Sequence, residues 1–202
     1  DRAARNDRTV PATVNAGPSA EAPFATLDVS GLTCVYDDTG GGIRDVSFSI
    51  KRNSVTVLTG RIGSGKTTLL RATLGLLPVS SGTITWNGVN VSAPAEFMIP
   101  PRVSYTPQVP MLFSGTLRDN VAFGKEYTDD ALCQPIWDAM LSDDVAAMAN
   151  GLDTPIGVRG TRLSGGQAQR VAVARMYASA SELYVCDDIS SALDKNTERL
   201  LW

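Results

Sequence analysis

No histidine occurs anywhere in the 202 residues. Without an imidazole the chain can build no Ser-His-Asp triad, no Cys-His dyad and no His-ligated zinc site. Excess basic charge is missing as well. Eighteen Lys+Arg face 21 Asp+Glu, the net charge is −3 and the isoelectric point is near 5.0. That balance does not mark a binder of phosphate backbones, so no nucleic-acid partner is expected. The three cysteines, Cys34, Cys133 and Cys186, lie far apart and form no CxxC pair. This excludes a zinc ribbon or a disulfide framework and fits a reducing compartment. Cys186 lies in an apolar run and reads as a packed thiol. No apolar stretch approaches the roughly 18 residues of a membrane helix. No secretory leader is recognisable, and the chain starts at Asp1 rather than Met. There is no internal repeat.

At 43% apolar residues the chain can still bury one good core. Residues 1–23 are rich in Ala, Pro, Arg, Asn and Ser and read as a disordered linker or tail, with order beginning near Phe24. From Phe24 to Ile50 the pattern is strand-like on both sides of Gly40-Gly41-Gly42. Val46, Phe48 and Ile50 alternate with polar residues, as in a half-buried strand. Val55–Thr59 reads as a short buried strand. A helix is expected from Lys66 to Leu77, stopped by Pro78. Strands are expected at Thr83–Trp86, closed by the Asn87-Gly88 turn, and at Arg102–Tyr105. The middle, from about Thr116 to Asn150, looks helical, with Pro135 expected in a first turn. A further helix spans Ser164–Ala180, and a last strand, Leu183–Cys186, ends in Asp187-Asp188. Strand–helix alternation with a helical insertion implies an α/β fold.

Gly60-Arg61-Ile62-Gly63-Ser64-Gly65-Lys66-Thr67 matches G-x-x-x-x-G-K-[ST] at every defined position, between an apolar run and a helical stretch. Glycines let backbone N–H groups curl around phosphate oxygens, and the helix N-terminus adds a favourable dipole. Lys66 is expected to reach the β- and γ-phosphates, with the Thr67 hydroxyl on Mg²⁺. Leu163-Ser164-Gly165-Gly166-Gln167 opens the late helix. Ser164 can cap it, and the two glycines permit an anion to approach the backbone closely.

The combination, in this order, resembles the nucleotide-binding domain of ATP-binding cassette (ABC) proteins over nearly everything from Phe24 to Trp202. That resemblance implies a P-loop NTPase (RecA-like) core with an antiparallel β subdomain and an inserted α-helical subdomain at about residues 109–171, the whole being incomplete at its C-terminal end. It also implies ATP as substrate and Mg²⁺ as cofactor. Tyr36 would stack on adenine. Gly60, Gly63, Ser64, Gly65, Lys66, Thr67 and Thr68 would hold the phosphates. Thr67, Gln108 and Asp187 would hold the metal, and Asp188, with Lys66 and Gln108, would carry catalysis. Ser164, Gly165, Gly166 and Gln167 would close on the nucleotide of a second nucleotide-binding domain, identical or paralogous, in a head-to-tail dimer. Ser191-Ala192-Leu193-Asp194 matches the D-loop. The intervals between Lys66, Gln108 and Ser164 leave room for a small helical subdomain and none for a long coiled coil. Residues 110–121 and 154–160 look like the segments that, in exporter-type ABC transporters, receive the coupling helices of a transmembrane domain. The resemblance thereby implies a place at the cytoplasmic face of the cell membrane. Phe113 reads equally as a core aromatic or as a partner-facing one.

Three departures from the family pattern stand out. Asp188 occupies the position where the family usually has Glu, shorter by a methylene, about 1.5 Å. Val158 stands where exporters commonly carry an acid. The switch histidine is absent, and the resemblance places it beyond Trp202. Asp188 therefore leaves open a nucleotide-gated regulatory module with little hydrolysis. A soluble ABC ATPase acting on DNA or the ribosome is the third reading, and the acidic balance and the exporter-like segments count against it.

Overall fold

The structure is a computed structural model that describes residues 23–36 and 40–188. Of the expected linker at residues 1–23 all but Pro23 falls outside them, as does the Ser191–Asp194 motif. Strand β1 (Thr26–Val35) is the hub of the first layer. Leu27 and Val29, and beyond an irregularity at Gly31 Leu32 and Cys34, are all buried; each pair keeps the period of two of a strand with one apolar face, and the extra residue between them keeps both pairs on that face. It pairs antiparallel with β2 (Gly42–Lys51) in the register Leu27↔Ile50 and Val29↔Phe48, and with β3 (Ser81–Trp86) in the register Leu27↔Trp86 and Val29↔Ile84. With β4 (Val89–Asn90) this gives a four-stranded antiparallel sheet of order β2-β1-β3-β4. The Asn87-Gly88 turn joins β3 to β4, both residues having positive φ, as the tightest hairpins require. Asn87 does more than turn the chain. Its Oδ1 accepts from the Ala25 and Thr26 amides, and its Nδ2 donates to the Pro23 carbonyl, so the first described residues are tied to the sheet.

Helix α1 (Lys66–Thr73) stops four residues before the sequence reading had it. Gly75 ends it, not Pro78. At φ +72 Gly75 is left-handed, its N–H bonds the Ala72 carbonyl, and the Leu76 N–H bonds the Arg71 carbonyl, which is a Schellman stop. A Cβ on Gly75 would meet the Ala95 backbone nitrogen at 2.3 Å. After α2 (Pro94–Phe97), strands β5 (Val103–Thr106) and β6 (Leu183–Cys186) form a separate parallel pair with Thr106 opposite Cys186. Trp86 fills the first core between Phe24 and Phe97, at ring distances of 4.5 and 5.6 Å.

One expected strand does not form. Val55–Thr59 belongs to no ladder, and Val55 and Val57 are 81% and 74% exposed. An apolar run becomes a strand only beside a pairing partner, and among the described residues none runs along it.

The middle of the chain forms α3 (Leu117–Ala122), α4 (Asp129–Asp138) and α5 (Ser142–Ala147), packed with α6 (Gly165–Ala178) around a second core. Leu117, Leu132, Leu141, Ile156 and Val171 are among its fully buried members. Thr116 caps α3 in a reciprocal box with Asp119, and the Thr128 side chain caps α4. Pro135 is a correction: it stands inside α4, not in its first turn. Its missing N–H removes one i→i−4 bond from the interior of that helix.

Candidate functional site

The loop from Gly60 to Gly65 leads into α1 through Gly65, whose φ is +91. A Cβ there would lie 2.8 Å from the Ile43 side chain, so glycine is required by both conformation and space. No side chain caps α1. The first N–H groups of the helix are left facing the loop, the arrangement that receives phosphate oxygens. Lys66 folds back across the loop, its Nζ donating to the Gly60 and Arg61 carbonyls at 3.0 and 3.2 Å. Ile62 at the loop tip is fully exposed.

Because β5 and β6 are parallel, the residues just past both strands emerge at one edge of the pair. In such sheets ligands collect at the carboxyl edge. Asp187 and Asp188 follow β6, and Gln108 follows β5. The Thr67 hydroxyl donates to Asp187 Oδ1 at 3.0 Å, which joins the phosphate-loop helix to that edge. Gln108 Nε2 donates to Asp188 Oδ2 at 2.9 Å. Thr67, Asp187, Asp188 and Gln108 are thus brought together, with Gln108 on Asp188 and not on Asp187. Asp187 is buried and Asp188 exposed. Asp188 has φ +52, in the left-handed region that Asp tolerates better than most residues. Tyr36 directs its hydroxyl at Thr68 Oγ1, 3.0 Å away, and leaves its ring partly exposed.

Tyr105 is a member of this edge that sequence reasoning did not single out. Its hydroxyl donates to Asp187 Oδ2 at 3.3 Å and receives Arg71 Nε at 3.5 Å. Burial raises its phenol pKa above the usual value, keeping it a donor. Cys186, one residue before Asp187, is the packed thiol expected, contacting Met176 Sδ, with its pKa pushed up to about 12 by burial.

The second motif opens α6. Ser164 caps the helix in a reciprocal box: its Oγ accepts from the Gln167 N–H at 3.2 Å, and Gln167 Oε1 accepts from the Ser164 N–H at 2.9 Å. Gly165 and Gly166 lie between the two, at the exposed end, and a Cβ on Gly165 would meet nothing within 4 Å. At the far end of α6 stands Arg175, another residue that the sequence reading did not single out. It donates to the carbonyls of Met111 and Asn120 and to Asn120 Oδ1, at 2.8, 2.7 and 3.1 Å. Its guanidinium lies 4.8 Å from the Phe123 ring and 5.7 Å from that of Phe113. Burial pushes its pKa down to about 10. A charge inside an apolar helical stripe was the available sign. Phe113, 38% exposed, lies between its two readings.

The family described as "ABC transporter" matches residues 43–191. The chain belongs to the ABC transporter family. It is 35% identical to the "Probable multidrug resistance ABC transporter ATP-binding/permease protein YheI" of Bacillus subtilis over 79% of its own length and 28% of that protein's. It is 32% identical to "ATP-binding cassette sub-family B member 6" of Xenopus tropicalis over 96% of its length and 23% of the relative's. A solved "bacterial Atm1-family ABC exporter with ATP bound" superimposes with a TM-score of 0.82 at 26% identity, covering 94% of this chain and 33% of that one. The chain therefore spans less than a third of the length of these curated relatives. Its fold is that of a P-loop NTPase of the exporter branch. Among the described residues no helix is long and apolar enough to cross a membrane.

Proposed function

We propose that the chain is the ATP-binding and ATP-hydrolysing module of an exporter-type ABC transporter. The observation that carries this reading is the junction of the uncapped phosphate-loop helix with the carboxyl edge of the β5–β6 pair through Thr67 and Asp187. Backbone N–H groups from Gly63 to Thr68 hold the phosphates, and Lys66 leaves its loop carbonyls for the terminal phosphate. The Tyr36 ring stacks on the base. Asp188 polarises the attacking water, and Gln108 fixes the Asp188 carboxylate so that it need not reorganise in the transition state.

The donor set fits magnesium. Thr67 and Asp187 are hard oxygen donors, and among the described residues no cluster of three acidic, Cys or His side chains forms a cage by itself. Mg²⁺ is typically held by one or two carboxylates together with substrate phosphates. Thr67 and Asp187, with Gln108 nearby, would hold it, and when bound it supplies charge neutralisation on the phosphates.

Ser164, Gly165, Gly166 and Gln167 serve a nucleotide held by a second nucleotide-binding domain, head to tail. The surface formed by residues 110–121 and 154–160 receives a transmembrane domain, at the cytoplasmic face of the membrane. One observation favours a second reading, a regulatory module that binds ATP and hardly hydrolyses it: the shorter Asp188, already engaged by Gln108. Metal removal tests the first reading. In the membrane-reconstituted protein, EDTA is expected to reduce ATP turnover to background, with full recovery on adding Mg²⁺. Turnover unaffected by chelation would contradict it.

A further inference from the structure

We propose that Asp144, on α5 of the helical layer, is a positioning residue for the Ser164–Gln167 motif. The inference rests on the reading above, in which that motif closes on a nucleotide held by another domain.

A helix that begins with two glycines is weak where it begins. Glycine is a poor helix former, and the serine cap offsets only part of what two of them cost. The first turn of α6 therefore needs support from outside itself, and Asp144 provides it. Asp144 Oδ1 accepts from Gln167 Nε2 at 3.0 Å. Its Oδ2 accepts from Arg170 Nε and Nη2 at 3.0 and 2.7 Å. The Asp144 and Arg170 side chains are only 18% and 15% exposed, so this pair is far less screened than a surface ion pair.

The contact to Gln167 gives the arrangement its direction. A side-chain amide has a donor end and an acceptor end. With Nε2 held on Asp144, Oε1 is turned to the Ser164 N–H, which completes the capping box. Without Asp144 the amide is free to rotate and the box loses one of its two bonds. Gluing α5 to α6 would need only Arg170; the bond to Gln167 fixes the motif itself. Asp144 thus keeps the Gly165 and Gly166 N–H groups aimed out of the helix end before any nucleotide arrives, so less ordering is left to be done on closure.

The test uses the intact, lipid-reconstituted protein with Asp144→Ala and Asp144→Glu, read by amide hydrogen exchange and by ATP turnover. Asp144→Ala is expected to speed exchange of the Ser164 amide, which loses its acceptor on Gln167, and of the Gln167 amide in the loosened first turn, about tenfold each, while α1 exchanges as before. It is expected to raise the ATP concentration for half-maximal turnover about tenfold with little change in the rate at saturation. Asp144→Glu, which keeps the carboxylate, is expected to restore both most of the way. Unchanged exchange at Gln167 overturns the proposal, as does a uniform rise across all of the second core, or faster exchange with no change in ATP dependence. Absence of any MgATP turnover in the unaltered protein would instead refute the hydrolytic reading, and exchange at Gln167 would still decide whether Asp144 holds the motif.

Discussion

Lys66→Ala is expected to weaken MgATP binding about 100-fold and to bring turnover to background. The lysine ammonium lies across the loop, and among the described residues its bonds are to the Gly60 and Arg61 carbonyls. Both carbonyls are on exposed residues and can turn to water when Nζ is removed. The folded state should therefore lose no more than about 0.5 kcal/mol, the range of ordinary surface substitutions. This separates the prediction from a general folding defect. Calorimetric titration with MgATP checks the binding, and a melting curve checks the fold. Unchanged affinity in Lys66→Ala would mean that the loop does not hold the phosphates.

Asp188→Asn is expected to lower turnover about 100-fold or more while leaving MgATP binding within a factor of about three. The amide is nearly isosteric, keeps an acceptor oxygen for Gln108 and loses only the charge to which the proposed function assigns the polarising of water. The reverse change is more informative. Asp188→Glu restores the missing methylene, and a displacement of about 1 Å at a reacting group can be worth roughly 100-fold in rate. Two features oppose the gain: the left-handed backbone at position 188 suits Asp, and Gln108 holds the carboxylate where it is. The net expectation is a rise in turnover of about tenfold. Steady-state assays of the reconstituted protein check both variants. No change in Asp188→Glu would show that the short acid does not limit hydrolysis.

Much of this site was legible in the sequence because its pieces are local. The phosphate loop, the Ser164 cap and the acids after β6 are each fixed by residues within a few positions of one another. Asp144, Tyr105 and Arg175 were not legible for the opposite reason. Each acts through partners far away in the chain: Asp144 on Gln167 and Arg170, Tyr105 on Asp187, Arg175 on Met111 and Asn120. Periodicity reports which face of a helix is apolar and says nothing about where a buried charge finds acceptors. The Val55–Thr59 strand failed on a related ground. Its composition is that of a buried strand, but a strand exists only by virtue of its neighbour. At α1 the local glycine signal outranked the later proline, since the left-handed stop at Gly75 satisfies the last carbonyls before Pro78 is reached. Pro135 was misplaced because α4 starts at a cap, Thr128, that lies seven residues upstream of it.

The central claim is that the nucleotide is bound by one motif and hydrolysed only with the help of the other, supplied by a second domain. Ser164→Arg tests this most directly, with MgATP binding and turnover measured on the same preparation. The side chain at the exposed start of α6 fills the approach of a facing nucleotide, and the lost cap costs about 1 kcal/mol, locally. The account predicts binding within a factor of about three of the unaltered protein and turnover lowered about 100-fold. Turnover at the unaltered rate would contradict it, because hydrolysis would then be complete without the Ser164–Gln167 motif.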